Sequence, residues 1–182
     1  PYEVNGRTYR NVLAEFGPDT PALVVLGAHY DTAGDQPGAD DNASGIAALL
    51  AIAPLLSAEP PPVRVVLAAY TLEEPPAFGT GWMGSAVHAR SLADARAEVR
   101  LMIAVETIGV FSDAPGSQRY PPLAGLFRPS AGNFIAVVGK WGQGDAVREV
   151  AAALRAASDL PVETLSAPTM VTGVDFSDHR SF

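Results

Sequence analysis

Cysteine is absent from the 182 residues. That excludes disulfide bonds, thiolate metal sites and a cysteine nucleophile. Positive charge is scarce, with 12 Lys and Arg against 20 Asp and Glu and a formal net charge of −8. A chain so poor in basic residues lacks the footprint of a phosphate-backbone binder, and no nucleic-acid partner is expected. Long apolar runs are also missing. The longest uncharged stretch, Asn42 to Ala58, contains Asn42, Ser44 and Ser57. It falls short of the roughly 20 apolar residues of a bilayer span, so no membrane span is expected. The chain opens on Pro1 without a basic-then-apolar leader, as expected of a segment of a longer gene product, and its localisation is not legible.

Apolar residues make up 48% and charged residues 18%, a balance that can bury a core. Strand-like and helix-like runs alternate, the pattern of an α/β sheet with helices on its faces. Strands are predicted over Arg7–Phe16, Leu23–Ala28, Val63–Tyr70, Leu101–Val105, Asn133–Val138 and Pro161–Leu165. Helices are predicted from Ser44 to about Ala53, ended or kinked by Pro54, over Gly84–Leu92 and over Asp145–Ala157. The expected architecture is three-layer α/β/α with a mostly parallel mixed sheet, and residues 1–182 are read as one domain. Ser112–Gly132 holds four prolines and three glycines without periodicity, and reads either as a solvated excursion or as a substrate-lining loop.

Open α/β sheets gather ligands outside the carboxyl ends of their strands. His29 and Asp31 follow the second predicted strand, Glu73 and Glu74 the third, and Glu106 the fourth. The loop Gly38-Ala39-Asp40-Asp41-Asn42 adds further carboxylates near the same edge. No Lys or Arg lies between Tyr30 and Arg64 to compensate them. Divalent cations are the natural counter-charge, and one imidazole among several carboxylates suits zinc, manganese or cobalt.

GAHYDT (Gly27–Thr32), PGADDNASG (Pro37–Gly45), TLEEPP (Thr71–Pro76), VETIG (Val105–Gly109) and SDHRSF (Ser177–Phe182) together resemble the M28 family of zinc aminopeptidases. Each motif alone is weak; the ordered set spans nearly the whole chain and is specific. The resemblance implies a zinc-exopeptidase fold and a site carried over residue by residue. His29 matches the first histidine ligand. Asp31 matches the carboxylate that orients that ring, a supporting catalytic role. Asp41 matches the bridging ligand, with a cis peptide expected at Asp41–Asn42. Glu73 matches the general base, and Glu74 a ligand of the second metal. Glu106 stands where many members carry aspartate. The family's last histidine ligand falls beyond SDHRSF, so the chain reads as a domain truncated before it, and the family pattern does not put His179 in its place. Two zinc ions are implied for the complete domain; this chain is expected to bind one well and the second poorly or not at all.

The implied reaction is exopeptidase hydrolysis of a peptide with a free N-terminus, by a metal-bound hydroxide with Glu73 as base. A glutaminyl-cyclase-like acyltransferase using a single zinc, and a non-catalytic binding module on the same fold, are the alternatives. Blander roles fit other residues. Asp40 reads as structural, His88 as a helix-surface residue, and Asp178 as a helix cap or as edging the site with His179. Trp82 and Met83 read as pocket border or core. Trp141, Phe127 and Tyr120 are candidates for a hydrophobic specificity wall. Gly142-Gln143-Gly144 lacks the dinucleotide-binding glycine pattern.

Overall fold

A computed structural model of the chain describes residues 1–120, 128–171 and 173–182. These form two compact units, Pro1–Gly109 with Ser177–Phe182, and Val110–Phe176.

The first unit opens with a hairpin of β1 (Tyr2–Val4) and β2 (Arg7–Tyr9). Its turn residues Asn5 and Gly6 have φ of 51° and 74°. Positive φ at both positions is what a two-residue type I′ hairpin demands. The single strand predicted over Arg7–Phe16 is therefore two. β2 pairs with β1, whereas β3 (Val12–Phe16) joins the central sheet. Asn11 sits at the break and donates from Nδ2 to the Gly84 carbonyl at 2.8 Å.

The central sheet runs β3-β5-β4-β6, with β4 at Ala22–His29, β5 at Arg64–Tyr70 and β6 at Glu98–Ala104. β3 lies antiparallel to β5, while β5, β4 and β6 are parallel. Side chains alternate between two cores, as the strand period of two requires. Leu23, Val25, Val66, Ala68 and Tyr70 pack on one face with Leu92 of α2 (Gly84–Asp94). Ala28, Val65 and Leu67 pack on the other with Leu49 of α1 (Ala43–Ala58). Helices thus cover both faces of a mixed, mostly parallel sheet, the three-layer architecture expected.

Two readings of the helices are corrected. Pro54 does not end α1, which continues to Ala58. Pro54 and Leu50, whose carbonyl loses its intrahelical donor, are both exposed, so water can satisfy the freed carbonyl. His88 is not on the helix surface. It is buried, and its Nδ1 lies 2.8 Å from the Tyr70 hydroxyl, with the Phe182 ring edge-on to it. The inward stripe of α2 is Gly84, Ser85, His88 and Leu92, small and polar where a buried stripe is normally aliphatic. Burial lowers the His88 pKa, so its ring is neutral in the core.

The second unit contains β7 (Ile135–Lys140), α3 (Gly144–Ala157) and β8 (Val162–Ala167), with β7 and β8 parallel. Each lies within two residues or so of its predicted place. The ends of the Pro- and Gly-rich segment are pinned by a bridge between Ser112 and Gly132, and the Gln118 amide donates to Ser130 O at 3.0 Å. Among the described residues no helix is long and apolar enough to cross a membrane.

α1 approaches the sheet closely at Gly45. A Cβ there would lie 2.5 Å from both Asn42 Oδ1 and the Val105 carbonyl and 3.0 Å from the Ala28 Cβ. Two of these neighbours are hydrogen-bonded polar atoms that cannot move freely. Gly45→Ala is therefore expected to destabilise the protein by about 1–3 kcal/mol through overpacking, read as a lowered denaturation midpoint. An unchanged midpoint would refute the close approach.

Candidate metal centre

The parallel register builds the site. Gly27 on β4 is level with Ala104 on β6, so two residues further along each chain His29 and Glu106 stand level. His29 is also paired with Tyr70, the last residue of β5, three residues before Glu73. The three strand ends therefore deliver His29, Glu73, Glu74 and Glu106 to one edge.

His29 is 1% exposed. Its Nδ1 is 3.0 Å from the Asp31 carbonyl oxygen, which can only accept. Nδ1 is thus the donor, and Nε2 is left to face the carboxylates. Nε2 lies 3.0 Å from Asp41 Oδ1, 3.5 Å from Glu106 Oε2 and 3.9 Å from Glu73 Oε2. The expected carboxylate contact from Asp31 to the ring is absent as a hydrogen bond, because Asp31 Oδ1 is 3.7 Å from Nδ1. That carboxylate is engaged elsewhere. Its Oδ1 accepts from the Glu73 amide at 3.1 Å and its Oδ2 from the Glu74 amide at 3.0 Å. Asp31 therefore orients the histidine through its backbone and the glutamate pair through its side chain.

Adjacent residues Glu73 and Glu74 must point different ways. Leu72 has φ of +59°, and this left-handed residue turns the chain sharply after β5. Glu73 is buried and Glu74 half-buried. Thr107, immediately after Glu106, has φ of +46°. Non-glycine residues held in this region cost roughly 1–3 kcal/mol each and persist where surrounding structure imposes them.

The loop before α1 is knitted to the end of β6. The helix is capped by Asn42, whose Oδ1 accepts from the Gly45 amide at 3.1 Å, so neither aspartate of the pair is the cap. Asn42 Nδ2 donates to the Val105 carbonyl at 2.8 Å. Asp40 is structural, its Oδ1 accepting from the Gly109 amide at 2.7 Å. Asp41, between them, is free to present its carboxylate to His29. The Asp41–Asn42 peptide is cis, as the motif implied, and so is Pro75–Pro76.

Ser177 escaped sequence reasoning. Its hydroxyl donates to Glu106 Oε1 at 2.6 Å, leaving Oε2 toward His29. Nothing distinguishes this serine locally, since its role rests on the return of residues 177–182 to the first unit. Asp178 is not a cap. It is fully buried, near Ser85 and the site carboxylates, and among the described residues neither oxygen has a well-formed hydrogen bond. Burial pushes its pKa up to about 7. Met83 is buried core, whereas Trp82 is exposed on the loop after the glutamates. Tyr120, donating to the Pro129 carbonyl, and exposed Trp141 belong to the second unit. Phe127 lies outside the described residues.

The electrostatics call for a cation. Burial acts to depress the His29 pKa, but its bond to Glu106 and the charges of Glu106, Glu73 and Asp31 outweigh it and raise the pKa to about 10. Burial pushes Glu73 up to about 8 and raises Glu74, with neighbouring carboxylates adding to both. The metal-free site thus holds protons to offset its own negative charge. His29, Asp41 and Glu106 offer donor atoms within 4.8 Å of one another, as do His29, Glu73 and Glu74. Tetrahedral zinc, with bonds of about 2.0–2.2 Å, sets neighbouring ligand atoms roughly 3.3–3.5 Å apart. The first trio comes close to this around Nε2 and fits such an ion.

The sequence model of peptidase family M28 matches residues 11–159, and the chain belongs to that family. The chain is 48% identical over 188 residues to the uncharacterized protein YfbL of Escherichia coli K12, a match covering 98% of this chain and 57% of YfbL. It thus spans 57% of the length of that curated relative. Among solved structures, it is similar to BSAP, a zinc aminopeptidase from Bacillus subtilis, with a TM-score of 0.66 and 23% identity over 98% of this chain and 38% of that one. It is similar also to a Bacteroides thetaiotaomicron glutaminyl cyclase bound to N-acetylhistamine, with a TM-score of 0.61 and 19% identity over 94% of this chain and 59% of that one. At these identities the two structures establish the shared fold.

The raised pKa values give a pH dependence of one sign. Between about 4.5 and 8 folded Glu73 keeps a proton that the unfolded chain releases, and between 6.5 and about 10 folded His29 does the same. Both contributions to stability are present at low pH and lost as pH rises through these folded values. With chelator present, the denaturation midpoint is expected to fall between pH 6 and pH 10, less steeply in Glu106→Gln. A midpoint rising over that range would contradict the site as described.

Proposed function

We propose that the chain carries the core of a zinc-dependent exopeptidase of aminopeptidase type. The observation that carries this reading is the convergence of His29, Asp41 and Glu106 on one point at the carboxyl edge of the parallel strands, with buried Glu73 beside it. Membership of peptidase family M28 supports it, and that match runs through both units, which we read as parts of one catalytic domain.

His29, Asp41 and Glu106 would hold the first ion, and Glu74 would contribute, with Asp41, to a second. Bound zinc supplies a Lewis acid that polarises the scissile carbonyl and acidifies a coordinated water. Glu73 accepts the proton of the attacking water and returns it to the leaving amine. Its burial keeps its basicity above that of an ordinary carboxylate, so it can both take and return that proton. Asp31 fixes the direction of both glutamates, and Ser177 fixes Glu106. The acidic character of the cluster suits the cationic α-amine of a peptide with a free N-terminus.

A second reading, single-metal acyl transfer by a glutaminyl-cyclase-like site, is favoured by one observation. Both candidate trios share His29, and the second includes Glu73. If Glu73 serves as the base, these residues supply one full ligand set. Amino acids released from unblocked peptides would support the peptidase; cyclisation of an N-terminal glutamine with release of ammonia would support the alternative.

Two outcomes test the proposal. Glu73→Gln should lower kcat by about 10²–10⁴-fold, the range for a lost general base, while bound zinc measured by elemental analysis is retained. Retained activity would overturn the assignment of Glu73. Zinc binding followed by calorimetry in buffers of different ionisation enthalpy should release at least one proton near pH 7, because His29 must lose the proton it holds up to about pH 10. Affinity should then rise with pH by about tenfold per unit for each proton released. Binding without proton release would exclude His29 as a ligand.

A further inference from the structure

Strand β6 ends at Ala104, and the Val105 amide still donates to the Gly27 carbonyl of β4 at 2.8 Å. Glu106 comes next, past the end of the strand. Three side chains, from the loop before α1 and from its first turn, reach the backbone on either side of it. Asn42 Nδ2 donates to the Val105 carbonyl at 2.8 Å. The Ser44 hydroxyl accepts from the Ile108 amide at 3.0 Å and gives its own hydrogen to the Asp40 carbonyl at 2.6 Å. Asp40 Oδ1 accepts from the Gly109 amide at 2.7 Å. The two segments lie close: a Cβ on Gly109 would sit 3.0 Å from both Asp40 Oδ1 and the Ser44 Cβ.

Thr107 lies inside this clamp, with φ of +46°. A β-branched residue enters the left-handed region only where its surroundings impose it. Thr107 is exposed, so packing around its side chain does not impose the turn. The bonds to Val105, Ile108 and Gly109 do, because they fix the backbone before and after it. With the chain turned in this way, Glu106 Oε2 comes within 3.5 Å of His29 Nε2, while Ser177 holds Oε1 at 2.6 Å. Glu106 is thus gripped at both ends. Ser177 acts on its carboxylate, and Asn42, Ser44 and Asp40 act on its backbone.

We infer that Ser44 and Asp40 are positioning residues for Glu106. They maintain the turn at Thr107 that sets the reach of the Glu106 carboxylate toward His29, and through it the affinity of the centre for zinc. The inference rests on the reading of Glu106 as a metal ligand, and does not depend on which reaction the centre performs.

Zinc affinity, measured by competition with a chromophoric chelator, tests it. Ser44→Ala and Asp40→Ala should each weaken zinc by about 10–100-fold, the cost typical of losing a group that orients a ligand. Asp40→Asn should stay within about threefold of wild type, because its amide oxygen can still accept from Gly109. Both Asp40 substitutions remove the same charge, so equal losses in the two would reduce Asp40 to an electrostatic role and overturn its positioning. In a Glu106→Gln background, Ser44→Ala should cost no further affinity. Losses that simply add would mean that Ser44 does not act through Glu106. In metal-free wild type the Ile108 and Gly109 amides should be protected from hydrogen exchange, and Ser44→Ala should expose Ile108. Wild-type zinc affinity in both alanine variants, with zinc weakened by Glu106→Gln, would overturn the clamp and leave the metal centre standing. Zinc binding untouched by Glu106→Gln would overturn Glu106 as a ligand, and the inference with it.

Discussion

The candidate site depends above all on the side chain of Asn42. One oxygen caps α1 through the Gly45 amide, and one amide group reaches across to the carbonyl of Val105. Asp41 precedes it and Glu106 follows Val105, so a single buried amide side chain sets the separation of two candidate ligand positions. Neither bond survives without the close approach at Gly45, where the helix backbone meets Val105 and Ala28. The same principle recurs around the edge. Asp31 bridges the end of β4 to the amides after β5, and Ser177 ties the last residues to Glu106. Parallel strands bring their ends to one level, but the ladder stops at His29, Tyr70 and Ala104. Beyond that level, side chains bonded to the backbone of the next strand hold the carboxylates in place.

These cross-links also explain how so much negative charge is tolerated. Carboxylates within a few ångströms of one another would push the loops apart if the loops were free to move. Here the backbone amides of Glu73, Glu74 and Gly109 are committed to aspartate oxygens, which holds the loops in place. Asp31 and Asp40 thus tie the end of β4 and the loop before α1 to the backbone that follows β5 and β6. The other carboxyl groups, Asp41, Glu73, Glu74 and Glu106, gather around His29.

Much of this was legible in the sequence, for an identifiable reason. Buried parallel strands are continuous apolar runs, and LVVLGA, VRVVLAAY and LMIAV could hardly be anything else. Ligand types directly after such runs, in one order, defined the edge. The parts that were not legible depend on partners distant in sequence. His88 looked like a surface residue because its stripe on α2 is polar, and its partner Tyr70 comes from a strand. Ser177 meets Glu106 only because residues 177–182 return to the first unit. Asp31 was read as a partner of the histidine ring, whereas its carboxylate is drawn away by two backbone amides that no spacing rule reveals. Pro54 was expected to end or kink α1, because propensity carries no information about which side of the helix faces water.

The contrast between the two sides of β4's end bears on function. On one side lies a cluster whose His29 is held protonated up to about pH 10 and whose Glu73 is held neutral up to about pH 8, both in answer to burial and to excess negative charge. On the other, one residue along, lies a half-open hollow in which the Tyr30 hydroxyl and the Asn42 amide are already bonded. A strand's alternation places opposite chemistries within one residue of each other. The fold supplies both from one short segment, Gly27–Thr32, and the loop that folds back over it.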